Sequence, residues 1–308
     1  MTSLHGTYMS GAGNLFTVID DRAGVYSHEL ISRMCPLLVR PTKAQADATE
    51  GVLVLRSVHY NETATLTASV TASVKASVKA IVTVDFYNPD GSSSMMCGNG
   101  GRCALRFARQ VGALDANVNS GILRMANTDF PFTLSDTDVT LQFPPPQTVL
   151  QNVEIPLPEG VVNGAYVDVG SDHVMIEKHE WERVFGKFSA EMFTVLAPSI
   201  RSHSMFARGA NVSVYERVGI STIQLWTFER GVEAITRACG TGALAVSVIN
   251  ALQSNTGIET WTCIPPGGEQ LTCVVQRDAQ KNILALFLQG PAVILAEADI
   301  VFDKAEFA

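Results

Sequence analysis

Short runs of β-branched and apolar residues, broken by turn residues, fill most of the chain, and only a few stretches keep a helical spacing. Val52 to Leu55 and Ile81 to Phe86 read as strands, as do Ala165 to Val169, Val212 to Tyr215, Gln224 to Phe228 and Leu284 to Leu288. Leu105, Ala108 and Val111 form one helical stripe, and Leu244, Val248 and Leu252 form another. Shorter helices are expected over Trp181 to Phe185 and Ala190 to Leu196. Asn88-Pro89-Asp90-Gly91 and Pro265-Pro266-Gly267-Gly268 are turn signals. Cys263 and Cys273 flank the second and are expected to face each other across a hairpin. A period-four segment from Thr67 to Val78 puts Val70, Val74, Val78 and Val82 on one face of a strand, with helix as the alternative because alanine is abundant. Prolines 144, 145, 146, 156 and 158 suit a linker between two halves. Many strands with one prominent helix per half predict a mixed α/β protein with largely antiparallel sheets.

Composition narrows the partners. At 308 residues the chain has room for two domains, and 46% hydrophobic against 17% charged residues is a globular balance. A net charge of −8 without a basic cluster argues against nucleic acid and acidic membrane surfaces. Met1 to Ser10 lacks a signal-peptide pattern, and apolar runs such as Ala292 to Ala296 fall far short of a membrane span. A cytoplasmic protein is expected, so Asn61-Glu62-Thr63 is read as a chance glycosylation triplet. Of six cysteines, Cys35, Cys103, Cys263 and Cys273 read as small core residues. No paired C-x-x-C suggests a zinc site. A homodimer is the default oligomer.

The other two cysteines carry the chemistry. Cys97-Gly98-Asn99-Gly100 opens one helical stripe and Cys239-Gly240-Thr241-Gly242 opens the other. Glycines beside a polar residue let backbone N–H groups crowd around an anion, and a helix start adds its positive end. The same field is expected to lower each thiol pKa. Two such turns across one substrate would place a thiolate base and a thiol acid on opposite faces of a carboxylate compound. One such turn often does no more than start a helix; two with the same leading cysteine, one per half, favour the chemical reading. A thiol redox protein would need a resolving thiol nearer than Cys103 is to Cys97. A carboxylate-binding module would need the glycines but not the thiols.

Met96-Cys97-Gly-Asn-Gly-Gly-Arg-Cys103 with Asn88-Pro-Asp-Gly-Ser, and Glu229-Arg230-Gly231-Val232-Glu233 with Arg237-Ala238-Cys239-Gly-Thr-Gly-Ala243, resemble the diaminopimelate epimerase family. So do the opening Met9-Ser-Gly-Ala-Gly-Asn14 and the closing Pro266-Gly-Gly and Gln289-Gly-Pro-Ala292. The resemblance implies two pseudo-symmetric α/β domains, each a curved sheet or barrel around a central helix, with the active site in the cleft between them. It implies domains of residues 1–143 and 144–292, with a strand from 293–308 returning to the first. It implies epimerisation of LL-diaminopimelate to the meso form without a cofactor, serving lysine and cell-wall synthesis; a racemase of another amino acid on the same scaffold is the alternative. Cys97 and Cys239 would be the acid–base pair, tuned by His173 and Glu229. Gly98, Asn99, Gly240 and Thr241 would cradle the α-carboxylate. Asn14, Asn88, Ser171, Asn211, Glu229 and Arg230 would contact the rest of the substrate, the last two at its far end. From the residues alone, Asn14 could be a turn residue, Glu229-Arg230 a surface pair, His173 a structural histidine, and Asn99 and Arg102 buttresses of the first turn. His5, His28, His59, His179 and His203 are read as structural or exposed. Three departures bear on the substrate. Ser171 and Asp172 stand where members have asparagine and proline, and Asp172 adds a carboxylate near the far end. Gly51 stands where some have a glutamine. Val58 to Ala80 looks like an insertion.

Overall fold

The computed structural model describes residues 2–60, 80–93, 96–254 and 259–303. The period-four segment through Val78 and the Asn61 triplet lie outside the described residues. The chain divides into two compact units, Met1–Gln142 with Gln289–Ala308, and Phe143–Leu288.

The first unit holds strands β1 (Thr2–Gly11), β2 (Asn14–Asp20), β3 (Val52–Tyr60), β4 (Ala80–Tyr87), β5 (Ser120–Met125), β6 (Thr128–Leu134) and β7 (Asp138–Phe143). Its helices are α1 (His28–Leu38) and α2 (Gly98–Gln110). From β1 to β6 the neighbouring pairs run antiparallel, parallel, antiparallel, parallel, antiparallel. A parallel pair needs a long crossover, and the two helices supply both: α1 between β2 and β3, α2 between β4 and β5.

The second unit holds β8 (Thr148–Leu157), β9 (Gly160–Asp168), β10 (Asp172–Glu177), β11 (Asn211–Arg217), β12 (Thr222–Glu229), β13 (Ala234–Ile235), β14 (Thr260–Ile264), β15 (Leu271–Arg277) and β16 (Ile283–Pro291). Its helices are α3 (Lys178–Phe185), α4 (Ala190–Arg201) and α5 (Gly240–Gln253). The path β9–β10–β11–β12–β14–β15 repeats the same order of antiparallel and parallel pairs. Here α3 and α4 fill the first crossover and α5 the second. The fold is thus duplicated within the chain, and each copy's second crossover helix starts at a cysteine. Strand β17 (Val293–Phe302) pairs with β1 in the first unit.

Helix α5 is enclosed along most of its length, whereas α2 is enclosed at its start and turns Arg106, Arg109 and Gln110 outward further on. α5 buries every residue from Gly242 to Ala251 and touches β9, β10, β11, β14 and β15. α2 buries Gly98 through Leu105 and touches β1 to β5 and β17. A helix buried on all sides is mostly apolar or small, as Ala243 to Ala251 of α5 are, with Ser247 and Asn250 each bonded to the carbonyl four residues back. Crowding is severe at the start of α2: a Cβ on Gly11 of β1 would lie 2.6 Å from the carbonyl oxygen of Asn99. No helix among the described residues is long and apolar enough to cross a membrane.

Two expectations need correction. The proline-rich stretch is a connector only over residues 144–147; from Thr148 it is β8, paired with β9 and bulged between Leu150 and Val153. Pro156 fits there because a strand bonded on one side spares an N–H. Cys263 and Cys273 lie on the two strands of a hairpin, but the register sets Cys263 opposite Leu271 and Cys273 opposite Trp261. Both are buried, and neither is in a disulfide.

Replacing Gly11 by alanine is expected to destabilise the protein by about 1–3 kcal/mol, the usual cost of forcing atoms into a filled site. Urea unfolding measures it; an unchanged midpoint would show that β1 and α2 can part without cost.

Candidate active site

Cys97 and Cys239 are the N-caps of α2 and α5, and their backbones are alike, with φ −120° and ψ 107° at each. Each sulfur accepts the N–H of the residue three places on: Gly100 at 3.4 Å and Gly242 at 3.3 Å. Each cysteine carbonyl accepts the next amide, from Gly101 at 2.8 Å and Ala243 at 2.9 Å. The cap is therefore a sulfur analogue of the serine or aspartate cap. The third position is crowded, since a Cβ on Gly100 would lie 3.0 Å from Leu53 Cδ2, and one on Gly242 would lie 2.9 Å from Thr227 Oγ1 and 3.2 Å from the sulfur, so any larger residue needs its neighbours to shift. In both helices the first two amides, those of Gly98 and Asn99 and of Gly240 and Thr241, stand at the positive end where an anion is favoured.

Around the first cap, Asn99 is buried and donates through Nδ2 to Asn14 Oδ1 at 3.3 Å, while Arg102, fully buried, donates to Asn99 Oδ1 at 2.8 Å. Asn14 in turn donates to the Glu50 carboxylate. Asn14 closes a two-residue hairpin whose central residues Ala12 and Gly13 have φ of 57° and 93°, the left-handed pair of a type I′ turn. Gly51 can carry no side chain, since a Cβ would sit 2.4 Å from the Phe86 ring, so a glutamine is impossible there and neighbouring Glu50 reaches Asn14 instead. Asn88 lies in its expected turn and donates to Ser92 Oγ at 2.8 Å.

The second cap sits in a denser network. Thr241 Oγ1 is 3.6 Å from Cys239 Sγ and 3.0 Å from His173 Nε2. Asn211 Nδ2 lies 2.8 Å from Ser171 Oγ, 3.0 Å from the Asp172 carbonyl and 3.4 Å from His173 Nε2. Its Oδ1 accepts the Arg230 amide at 2.9 Å. An amide N–H can only donate, so His173 Nε2 is assigned as the acceptor, which lets Thr241 donate to it and accept from the thiol. Burial pushes the His173 pKa down to about 3, against a small pull from Asp172. The ring is a neutral acceptor throughout the physiological range.

Glu229, at the end of β12, accepts from Thr236 Oγ1 and meets the Cys239 thiol. Burial raises its pKa, opposed by those two hydrogen bonds. The Cys239 pKa is also raised, first by burial and then by the Glu229 charge; Thr241 and the Gly242 amide pull the other way and lose. This corrects the expectation that the helix end lowers that pKa. Field and amide are present, but desolvation of the thiolate outweighs them, so Cys239 rests as a thiol.

The structure joins Cys239, Thr241, His173, Asn211, Ser171, Glu229 and Arg230 in one unit, and Cys97, Gly98, Asn99 and Asn14 in the other. Asp172 is not the unbalanced carboxylate the sequence suggested: Arg208 bonds it at 2.8 Å and Arg230 Nη1 lies 3.5 Å away. Nothing in the sequence singles out Glu50, Thr236 or Arg208, although Glu50 adjoins Gly51 and Thr236 adjoins the Arg237-Ala238-Cys239 motif. Among the described residues no group of three or more His, Cys, Asp or Glu could hold a metal.

Two outcomes follow. Glu229→Gln removes the charge that opposes the thiolate, so the Cys239 pKa should fall; thiolate absorbance against pH reads this, and an unmoved or raised midpoint contradicts it. His173 should show no imidazole titration by NMR between pH 5 and 8. Its folded pKa lies below the unfolded value, so the unfolded chain binds the extra proton; His173 therefore costs stability as pH falls from about 6.5 towards 3. A ring midpoint near 6.5 would show that the site is wet.

No family model matches the chain. It is 32% identical to a diaminopimelate epimerase of Thermobifida fusca, across 70% of this chain and 72% of that protein. It is 26% identical to one of Aquifex aeolicus, across 97% and 98%. Its fold matches a solved phenazine biosynthesis protein of the PhzF family from Bacillus anthracis, with TM-score 0.67 and 13% identity over 98% of this chain and all of that one. It also matches a hydroxyproline epimerase from Agrobacterium vitis, with TM-score 0.67 and 14% identity over 98% and 93%. The duplicated units are thus those of the fold these proteins share, and the chain belongs to the diaminopimelate epimerase family, a family of isomerases.

Proposed function

We propose that the protein epimerises LL-diaminopimelate to the meso form through Cys97 and Cys239, without a cofactor, as a cytoplasmic step towards lysine and cell-wall precursors. The carrying observation is that the two cysteines occupy equivalent caps, with the same dihedrals and the same sulfur-to-amide bond, in two copies of one fold. A chain that keeps a thiol twice in that setting, when serine or aspartate would cap as well, keeps it for the sulfur.

In this reading the α-carboxylate lies against the amides of Gly98, Asn99, Gly240 and Thr241. One cysteine, as thiolate, takes the α-proton, forming an S–H bond while the C–H electron pair stays on the α-carbon. That charge spreads into the carboxylate, where the helix ends stabilise it. The other cysteine, as thiol, delivers its proton to the opposite face and becomes the thiolate, so the resting pair is exchanged and the stereocentre inverted. Because the reaction runs in both directions, each cysteine serves as base for one isomer and as acid for the other. Thr241 and His173 hold the Cys239 thiol, with His173 kept neutral so that it adds no positive charge to draw the proton off. Arg230 takes the far carboxylate through its guanidinium fork, with Glu229, Asn211, Ser171, Asn14 and Asn88 placing the remaining polar groups.

The test is α-deuterium incorporation in deuterated water by reduced protein, with LL-diaminopimelate and a panel of amino acids. Exchange and inversion are expected at diaminopimelate, with Cys97→Ala and Cys239→Ala each losing at least about a thousandfold in kcat, the scale of removing a catalytic proton-transfer group. Exchange at another amino acid alone would favour a racemase of different specificity. No exchange anywhere would sink the epimerase reading.

A further inference from the structure

Asp172 and Asp168 face each other across the β9–β10 hairpin, and both are buried. Two carboxylates directly opposite repel unless a cation bridges them. Arg208 does so, with Nη2 2.8 Å from Asp168 Oδ2 and 2.8 Å from Asp172 Oδ1. Tyr166, stacked on Phe206 at 5.7 Å, donates its hydroxyl to the same Asp172 oxygen. The other oxygen of Asp172 faces Arg230 Nη1 at 3.5 Å. Arg230 is held in place by the backbone of the residue whose side chain bridges the acids: Nη1 donates to the Arg208 carbonyl at 2.6 Å and to the Gly209 carbonyl at 3.2 Å. Gly209, at φ 67°, permits that turn of the chain. Among the described residues Arg230 Nε and Nη2 make no bond, so one edge of the fork remains for a ligand. Burial alone would raise the Asp172 carboxyl, yet Arg208, Tyr166 and Arg230 hold it below its usual value, so it is charged. The cluster then carries two negative and two positive charges.

We propose that Asp172 is a specificity-determining residue: with Asp168, Arg208 and Arg230 it makes a charge-balanced wall that favours a substrate whose far end carries an ammonium beside its carboxylate over one whose far end is a bare carboxylate. This deepens the diaminopimelate reading and rests on it. Without Asp172 the cluster has a net positive charge, which attracts a bare carboxylate and repels an ammonium. At a separation of several ångströms near a protein surface, one unit of charge is worth a factor of about ten or more in relative affinity.

The test compares LL-diaminopimelate with 2-aminopimelate, which lacks only the far ammonium, by α-deuterium exchange in wild type, Asp172→Asn and Arg208→Lys. Asparagine keeps the size and an acceptor for Tyr166 and Arg208; the charge is lost, and an NH2 replaces the oxygen that faces Arg230. Wild type is expected to favour diaminopimelate in kcat/KM. In Asp172→Asn that preference should fall about tenfold, chiefly through opposite movements of the two KM values, with kcat for diaminopimelate within about twofold. Arg208→Lys keeps the bridging cation and should keep the preference. An Asp172→Asn protein that exchanges both compounds with the wild-type ratio overturns this inference alone. A wild type that exchanges neither overturns the diaminopimelate reading, and this inference with it.

Discussion

The structure turns on a single hydrogen-bonded cap, used twice: a cysteine sulfur accepting the amide three residues ahead at the mouth of a buried helix. It fixes the thiol against the helix end, and it dictates the residues around it. Glycine at the third place follows from the closeness of Leu53 and Thr227. Burial of the helix start follows from its place as a crossover packed on the strands of its own unit. A reactive sulfur can thus be held rigidly, because the enclosing strands leave the cap no alternative position.

The same enclosure explains why electrostatics at Cys239 runs against simple expectation. A helix end and an amide favour the thiolate, but both act on a group removed from water and set beside Glu229. Desolvation and like charge win, and the Cys239 sulfur rests protonated. His173 obeys the same rule: taken out of water it loses its proton and serves as an acceptor. The protein tunes these groups mainly by dryness, with charges as the correction.

Much of this was legible in the sequence wherever the cause is local. Caps, turns and helical stripes are written within a few residues, so Cys97, Cys239, the Asn88 turn and the two helices that follow the cysteines could be read directly. What failed depends on distance. The proline run looked like a linker because an edge strand tolerates proline and a sequence does not announce edges. The register of Cys263 and Cys273 depends on a hairpin whose pairing is set by its whole length. The Glu50–Asn14 bond and the Arg208 bridge join residues far apart in the chain, and neither leaves a periodic trace. The pKa of Cys239 was misjudged because burial is the property of the whole unit, not of the turn.

The pairing of β17 with β1 sets Phe302 opposite Thr2. Closing the first unit along that edge therefore requires a pairing across the whole of the second unit. That second unit is contiguous in the chain and can close while the first is still one strand short. The half bearing Cys239 thus closes through contacts more local in the chain than the half bearing Cys97, whose sheet joins two of its most distant strands.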